Sequence, residues 1–587
     1  MALVLPSFHF VNNYLTPVGA WYAPESTEFI VWAPLKRSVD LVFGGAAHAM
    51  ERDEWGYWRV RAAVGPGTMY KYRLDGGMMV PDPASLSQPD GVHGASAVVD
   101  LSAFRWSVGD WTGIPLANMI IYELHVGVFS ATHDFDGVAA KLDYLAELGV
   151  NAIELMPIAQ VPGDRNWGYD GVYPFAVQHS YGGAEGLRRL VDAAHRKGIA
   201  VVVDVVYNHF GPEGNYLSCF GPYFTEQYRT PWGGAINFDD AWSDGVRNYF
   251  FQHARLLLEE YRVDALRLDA VHAIKDLSAV PFLAELKELA ADISRRTGRH
   301  KILIAETDLN DPKYIQPAAK GGYGLDGQWV DEFHHALRAL LTGERKAYYE
   351  DFGSIGQLEK AFRDTYVYDG VYSPYRKRTF GGRVEGCAYE QFVVFSQNHD
   401  QVGNRACGER LGDHLSVAQL KLAAAAVLLS PYVPLLFMGE EYGEKRPFPF
   451  FVSFEDPSLI EAVRKGRAAE FEGFAGEGLT IPDPEAAATF ESAVLSWSMD
   501  EELFGWYREL IRFRKTRPAM QGRARDTMAV RVVDRVLVIE RKIVNDRVVI
   551  FLNFGHRPLS ARDLTDEPLR PVLESGDGLV LVCEEIK

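Results

Sequence analysis

The chain has 587 residues with a formal net charge of -19, and 47% of its residues are hydrophobic and 24% charged. This length exceeds one ordinary core, so a large domain with one or two smaller ones is expected, and the composition is globular, neither disordered nor membrane-bound. The acidic balance repels a phosphate backbone, which argues against nucleic acid and for an uncharged substrate. The N-terminal MALVLPSFHF has no basic stretch and no long apolar core, and no run approaches a membrane span. The expected compartment is therefore the cytoplasm. Four cysteines, Cys219, Cys387, Cys407 and Cys583, form no CxxC pair. A disulfide frame or zinc site is not expected, and buried thiols are.

In chain order, residues 1–100 contain short alternating runs (EFIVWAP, VDLVF, YWRVRA, MYKYRL) broken by Gly, Pro and Asp. They predict a small antiparallel β-sandwich. The Pro-, Gly- and Ser-rich VPDPASLSQPDGVHG marks its end. Helix-then-strand units follow through residues 101–517. In DGVAAKLDYLAELGVNAIELMPI, Val138, Leu142, Leu145 and Leu148 recur at helical spacing, Gly149 ends the helix and a strand follows. The next unit repeats this with Leu187, Leu190, Val191 and Ala194 as the apolar stripe and Gly198 before VVVDVVYNH. Units ending in ALRLDAV and ILIAETD follow. Continuous apolar strands between amphipathic helices imply a parallel sheet covered on its faces, and this many units close as a (β/α)8 barrel. LFGWYRELIRFRKTRPAM then predicts a helix with Leu503, Tyr507, Leu510, Ile511 and Phe513 inward, ended by Pro518. Residues 518–587 alternate again and predict a small antiparallel C-terminal domain.

Four strand-like runs each lead into an acid: Asp204, Asp269, Glu306 and Asp400. One aspartate after a strand is ordinarily a helix cap or a loop acid, but barrel enzymes build their sites at the C-terminal ends of the strands, so this ordered set should converge on one cleft. Arg267 and Asp269 are two apart and point to the same side of a strand, where a guanidinium keeps a carboxylate ionised. Glu306 emerges from an apolar run and suits a raised pKa. One ionised and one protonated carboxyl are what retaining glycoside hydrolysis requires. His399, Asp400, Asp204 and His209 can hold sugar hydroxyls, and Trp167, Tyr169, Tyr173, Trp232 and Tyr375 offer rings for a pyranose, with filling of the barrel mouth the alternative for Tyr173 and core or loop packing that for Trp232 and Tyr375. Asn208 and His209 lack the oxygen-rich loop of a calcium site and read as a polar clamp. Glu440 and Glu441 could line the site or be structural.

DVVYNH, LRLDAVH, IAETD and SQNHDQ resemble the four signature regions of the α-amylase superfamily of glycoside hydrolases, in their usual order. The resemblance implies Asp269 as nucleophile, Glu306 as acid/base and Asp400 as transition-state stabiliser. It implies Asp204, His209, Arg267 and His399 around the attacked sugar and Tyr169 stacked beneath it. NWGYDGVYPFAVQHSYGG, VVYNHFGPEGNYL, FGPYFTEQYRTPWGGAINFD and DEFHHALR are similar to the maltooligosyltrehalose trehalohydrolase group. That likeness implies retaining hydrolysis of the α-1,4 bond next to a terminal trehalose unit, with maltooligosyltrehalose and related α-glucans as partners and neither redox cofactor nor catalytic metal. It also directs attention to Trp232, Tyr375 and Arg376 for the leaving-group side. The alternatives are a branching transglycosylase or debranching hydrolase of the same superfamily and, in another class, a non-catalytic starch-binding protein. Nothing in the sequence marks an oligomeric state.

Overall fold

The computed structural model describes residues 16–471, 480–555 and 568–585. The segment MALVLPSFHF lies outside the described residues. Two antiparallel sheets come first. One contains Gly19–Ala23, Ser26–Trp32, Tyr57–Ala62 and Glu51–Arg52; the other contains Ala46–Ala49, Val39–Phe43, Met69–Leu74 and Met79–Val80, with Ser96–Ala97 added on Met69–Leu74. Period-two burial in Met69–Leu74 turns Tyr70, Tyr72 and Leu74 inward, and Tyr70 packs edge-on against Phe29 of the other sheet at 4.8 Å. The sandwich is fastened to the rest of the chain by hydrogen bonds from the Asn248 side chain to Tyr57 Oη (2.8 Å) and from Tyr249 Oη to the Pro83 carbonyl (2.8 Å).

Eight parallel strands close into a barrel: β1 (Ile121–Leu124), β2 (Ala152–Leu155), β3 (Ala200–Val205), β4 (Ala265–Leu268), β5 (Ile302–Ala305), β6 (Gly327–Trp329), β7 (Phe392–Phe395) and β8 (Val433–Phe437). Its inward side chains include Ile121, Ala152, Val202, Ile304, Phe395 and Leu435, which form a separate apolar cluster in the lower barrel. Strands β1 and β6 were not anticipated, because IIYEL is preceded by no helix and GQW is three residues long. The stripe Leu187, Leu190, Val191 and Ala194 is buried on the helix Gly183–Arg196 as expected. The helix anticipated over DGVAAKLDYLAEL is broken into Phe135–Ala139 and Leu142–Leu148. Gly149 ends it at φ 100°, and its N–H donates to the Leu145 carbonyl, a left-handed cap that only glycine adopts freely.

After β8 the helix Glu501–Thr516 starts at Asp500, whose side chain accepts from the Glu502 and Leu503 N–H groups. It buries Leu503, Tyr507, Leu510 and Ile511, with Phe513 half-buried. A five-stranded antiparallel sheet follows in the order Met528–Val533, Val536–Ile543, Asp546–Asn553, Val580–Glu585, Leu569–Glu574. Cys387 and Cys583 are buried, whereas Cys219 and Cys407 are only half-buried, so the expectation of buried thiols holds for two of the four. Among the described residues no helix is long and apolar enough to cross a membrane.

Candidate active site

At the C-terminal mouth of the barrel, β3, β4 and β5 bring three carboxyls to one guanidinium. Parallel pairing sets Asp204 opposite Arg267. Arg267 Nη1 donates to Asp204 Oδ2 at 2.8 Å and to Asp269 Oδ1 at 2.7 Å, while Nη2 lies 3.6 Å from Glu306 Oε2. The indole of Trp329, from β6, covers the guanidinium at 4.4 Å. This shields a fully buried arginine on one face while its Nη1 is committed to carboxylates. Burial disfavours the ionised form of Asp269, but Arg267, His209 and an Asn208 hydrogen bond (2.8 Å) outweigh it and hold its pKa below the ordinary value. Burial instead dominates at Glu306 and, with the nearby Asp269, pushes its pKa well above the usual carboxylate range against the pull of Arg267. Burial likewise takes Asp204 up to about 6. Two neighbouring acids with opposed protonation are the arrangement acid–base chemistry needs.

The chain turns sharply after Asp269. Ala270 has φ 40° and ψ 51°, a left-handed conformation uncommon for a residue with a Cβ, and its N–H donates to Glu306 Oε2 at 2.7 Å. The turn thereby ties the ends of β4 and β5 together. Asn208 Nδ2 also donates to the Asp269 carbonyl (2.8 Å). His209 meets Asn208 Oδ1 at 2.5 Å, and Trp232 stacks on its ring at 4.5 Å.

Asp400 is not at a strand end. It lies in the short helix His399–Gly403, five residues past β7, which Asn398 caps by accepting from the Gln401 N–H. Gly403 is required there, because a Cβ would meet the Trp167 ring at 2.0 Å. His399 Nε2 lies 2.7 Å from Tyr169 Oη, whose proton is donated to Asp204 Oδ2 at 2.6 Å. Sequence reasoning missed the group on the other side of His399. Glu123 of β1 accepts from His399 Nδ1 at 2.5 Å and from its backbone N–H at 2.9 Å. The signal was available, since IIYEL is another apolar strand carrying an acid. Glu154, beside it in β2, is also buried, and neither carboxyl oxygen has a protein partner among the described residues.

These groups face a cleft of about 420 Å³ lined by Asp269, Glu306, Asp400, His399 and His209, with Tyr169, Trp167 and Trp232 supplying rings. Phe450 and the helix Pro457–Phe471, through Val463, Arg467 and Glu470, close one wall. That wall left no sequence signal, because its residues follow β8 without a motif. Tyr375 and Arg376 are not among the lining residues. Tyr375 is exposed with its N–H on Asp351, and Arg376 pairs with Asp308 at 3.2 Å, two residues beyond Glu306.

One expectation is corrected, and one left open is decided. Tyr173 does not face the mouth: it lies buried in the strand Tyr173–Val177, packs with Val92, Val172 and Ala176, and donates to the Val92 carbonyl at 2.9 Å. Glu440 and Glu441 are structural. Both are buried, with Glu440 accepting from Tyr507 (3.2 Å) and Glu441 from Tyr122 (3.0 Å) and Tyr144 (2.7 Å), and burial raises their pKa values to about 8 and about 7. Among the described residues no cluster of three or more His, Cys, Asp or Glu is arranged to hold a metal ion.

Residues 103–229 match the model of the alpha amylase catalytic domain. A crystal structure from Salmonella typhimurium that carries an alpha-amylase assignment superposes with a TM-score of 0.89 at 37% identity, covering 97% of this chain and 100% of that one. A closed parallel barrel with an acidic cleft at its mouth and these likenesses define a glycoside hydrolase of the α-amylase class. The chain is 49% identical over 84% of its length to malto-oligosyltrehalose trehalohydrolase of Saccharolobus solfataricus, covering 85% of that protein. It is 43% identical over 91% of its length to the enzyme of the same name from Rhizobium sp. strain M-11, again covering 91%. The chain belongs to the malto-oligosyltrehalose trehalohydrolase family.

Proposed function

We propose that this glycosidase hydrolyses the α-1,4 bond adjoining the terminal trehalose unit of malto-oligosyltrehalose, by retaining double displacement. The observation that carries the mechanism is the sharing of one buried guanidinium by Asp269 and Glu306 while both face the same cleft. An Asp269 oxygen attacks the anomeric carbon as the bond to the leaving oxygen breaks and Glu306 gives that oxygen its proton. Water then attacks the glycosyl ester, returns a proton to Glu306 and frees the Asp269 carboxylate. Asp400 faces the same cleft and is assigned to stabilising the positive charge that develops on the sugar. Asp204, Arg267, His209 and His399 hold the attacked sugar's subsite, and Tyr169 lies beneath it.

On the leaving-group side Trp232 has the strongest support, since it lines the cleft and Tyr375 and Arg376 do not. The proposed division is a sandwich over 1–100, the catalytic barrel over 101–517 and a C-terminal domain over 518–587. The four free cysteines suit a reducing compartment such as the cytoplasm.

The deciding assay compares trehalose released from maltooligosyltrehalose with glucose or maltose released from maltopentaose. A strong preference for the first is expected; equal rates would sink the narrower reading, and new α-1,6 branches on amylose would replace it with a transferase.

A further inference from the structure

Under the cleft, five hydrogen bonds run in series from the barrel core to the proposed nucleophile. Glu123 Oε1 accepts from His399 Nδ1 (2.5 Å), and His399 Nε2 meets Tyr169 Oη (2.7 Å). Tyr169 donates to Asp204 Oδ2 (2.6 Å), and Arg267 Nη1 bridges Asp204 (2.8 Å) and Asp269 (2.7 Å). With Glu123 and Asp204 ionised, proton counting along this chain makes both nitrogens of His399 donors. A carboxylate can only accept, so Nδ1 carries a proton. Tyr169 has one proton and spends it on Asp204, so its oxygen accepts and Nε2 must also carry a proton. An imidazole with both nitrogens donating is a cation.

We propose that Glu123 is a positioning residue that keeps His399 doubly protonated, and that through this cation it directs the Tyr169 hydroxyl to Asp204. The inference rests on the reading of Asp269 as nucleophile only for its effect on rate. The surroundings support the charge. Glu123 from β1, Asp204 from β3 and Asp400 on the same helix face His399 as acids, with Asp400 Oδ2 at 3.6 Å from Nε2. Glu154 from β2 stands close by, its own pKa raised by burial and by Glu123. Arg267 from β4 and His125 after β1 act against the charge. Trp167, Tyr169 and Trp329 pack around the ring and carry no charge. Burial opposes the cation, but Asp400 and Glu123 outweigh it and take the pKa up to about 9. His209 likewise faces two acceptors, the Asn208 amide oxygen and the Tyr169 carbonyl, but both are neutral and burial pulls its pKa down, so the acids around His399, and not the acceptor count alone, hold its charge.

Replacing Glu123 by Gln keeps an acceptor for Nδ1 but sets an amide NH2 against the His399 backbone N–H and removes the negative charge. His399 should then lose the Nε2 proton, and its bare nitrogen would draw the Tyr169 proton away from Asp204. Because the folded pKa of His399 is raised, its charge is present below that value and lost as pH rises through it; Glu123→Gln should move this loss to lower pH.

The test is histidine-labelled NMR of the full chain, with the His399 signal assigned by its absence in His399→Gln, alongside kcat/KM across pH on maltooligosyltrehalose. Wild type should show an imidazolium at pH 7. Glu123→Gln should show a neutral ring there and a kcat/KM lower by roughly ten- to a hundredfold, recovering toward acid pH in step with the His399 signal. Glu123→Asp should restore the imidazolium. A neutral His399 in the wild type overturns the proposal even if Glu123→Gln fails to fold, as does a Glu123→Gln profile parallel to wild type. If instead Asp269→Ala stays active while the imidazolium is present, the nucleophile assignment has failed and the role of Glu123 stands.

Discussion

Asp264 and Asp269 bracket strand β4, both deeply placed and both with lowered pKa values, yet their surroundings differ. Asp264, at the closed end of the barrel, is matched partner for partner. Its Oδ1 accepts from Trp111 Nε1 (2.7 Å), and its Oδ2 from His195 Nε2 (2.8 Å) and the Val201 N–H (2.8 Å), while Trp111 stacks on His195 at 4.5 Å. Burial would raise its pKa, but His195, Lys301 and Trp111 outweigh it. Asp269, at the open end, shares one arginine with Asp204 and Glu306, and Asp400 lines the same cleft. There carboxyls outnumber cations, so their pKa values are driven apart. A matched buried charge holds structure together; a surplus of one sign beside an opening stores the protonation difference that a reaction uses.

The comparison breaks most visibly if the two aspartates are exchanged in effect. Asp269→Ala should lower kcat for trehalose release by about four orders of magnitude or more, with thermal unfolding near that of wild type; near-normal turnover would remove Asp269 from the mechanism. Asp264→Asn should do the reverse. It keeps an acceptor for Trp111 but turns an amide NH2 toward His195 and the Val201 N–H and removes the charge, and should cost about 3 kcal/mol of stability, read by denaturant unfolding, while kcat of the folded fraction changes little. The sign follows from a depressed folded pKa: the stabilisation exists above the unfolded value and fades as pH falls through the folded one. The gap between wild type and Asp264→Asn should therefore narrow below about pH 4; a gap constant down to acid pH would mean that the ionised carboxylate is not what stabilises.

The smallest effect sharpens the open end itself. Trp232→Ala should lower kcat/KM on maltooligosyltrehalose by about three- to tenfold and shift its ratio to plain malto-oligosaccharide, whereas Arg376→Ala, outside the lining, should move that ratio less. If both variants keep the wild-type ratio, neither reads the leaving group.

Much of this was legible before folding. Asp204, Asp269, Glu306 and Asp400 follow apolar strands whose period and length imply a parallel barrel, and Arg267 at two residues from Asp269 had to share its side. Glu123 was legible in kind but overlooked, since its strand has no preceding helix to announce it. Tyr173 was misread because a ring near glycines looks like a loop ring, yet strand pairing with Ala159–Gln160 turned it into an apolar cluster. Phe450 and Arg467 left no pattern, because a cleft wall is defined by what it faces.

Periodicity and side-chain direction are local properties of the chain, and from them came the barrel, the sandwich, the C-terminal sheet and the acids Asp204, Asp269 and Glu306 at strand ends, but not Glu123 on β1 or the helical placing of Asp400. Arg267 and the apolar run ILIA already pointed to an ionised Asp269 and a protonated Glu306; the fold supplied what drives the two apart. This comes from burial and from a single guanidinium reached from three strands, distances that no local pattern encodes.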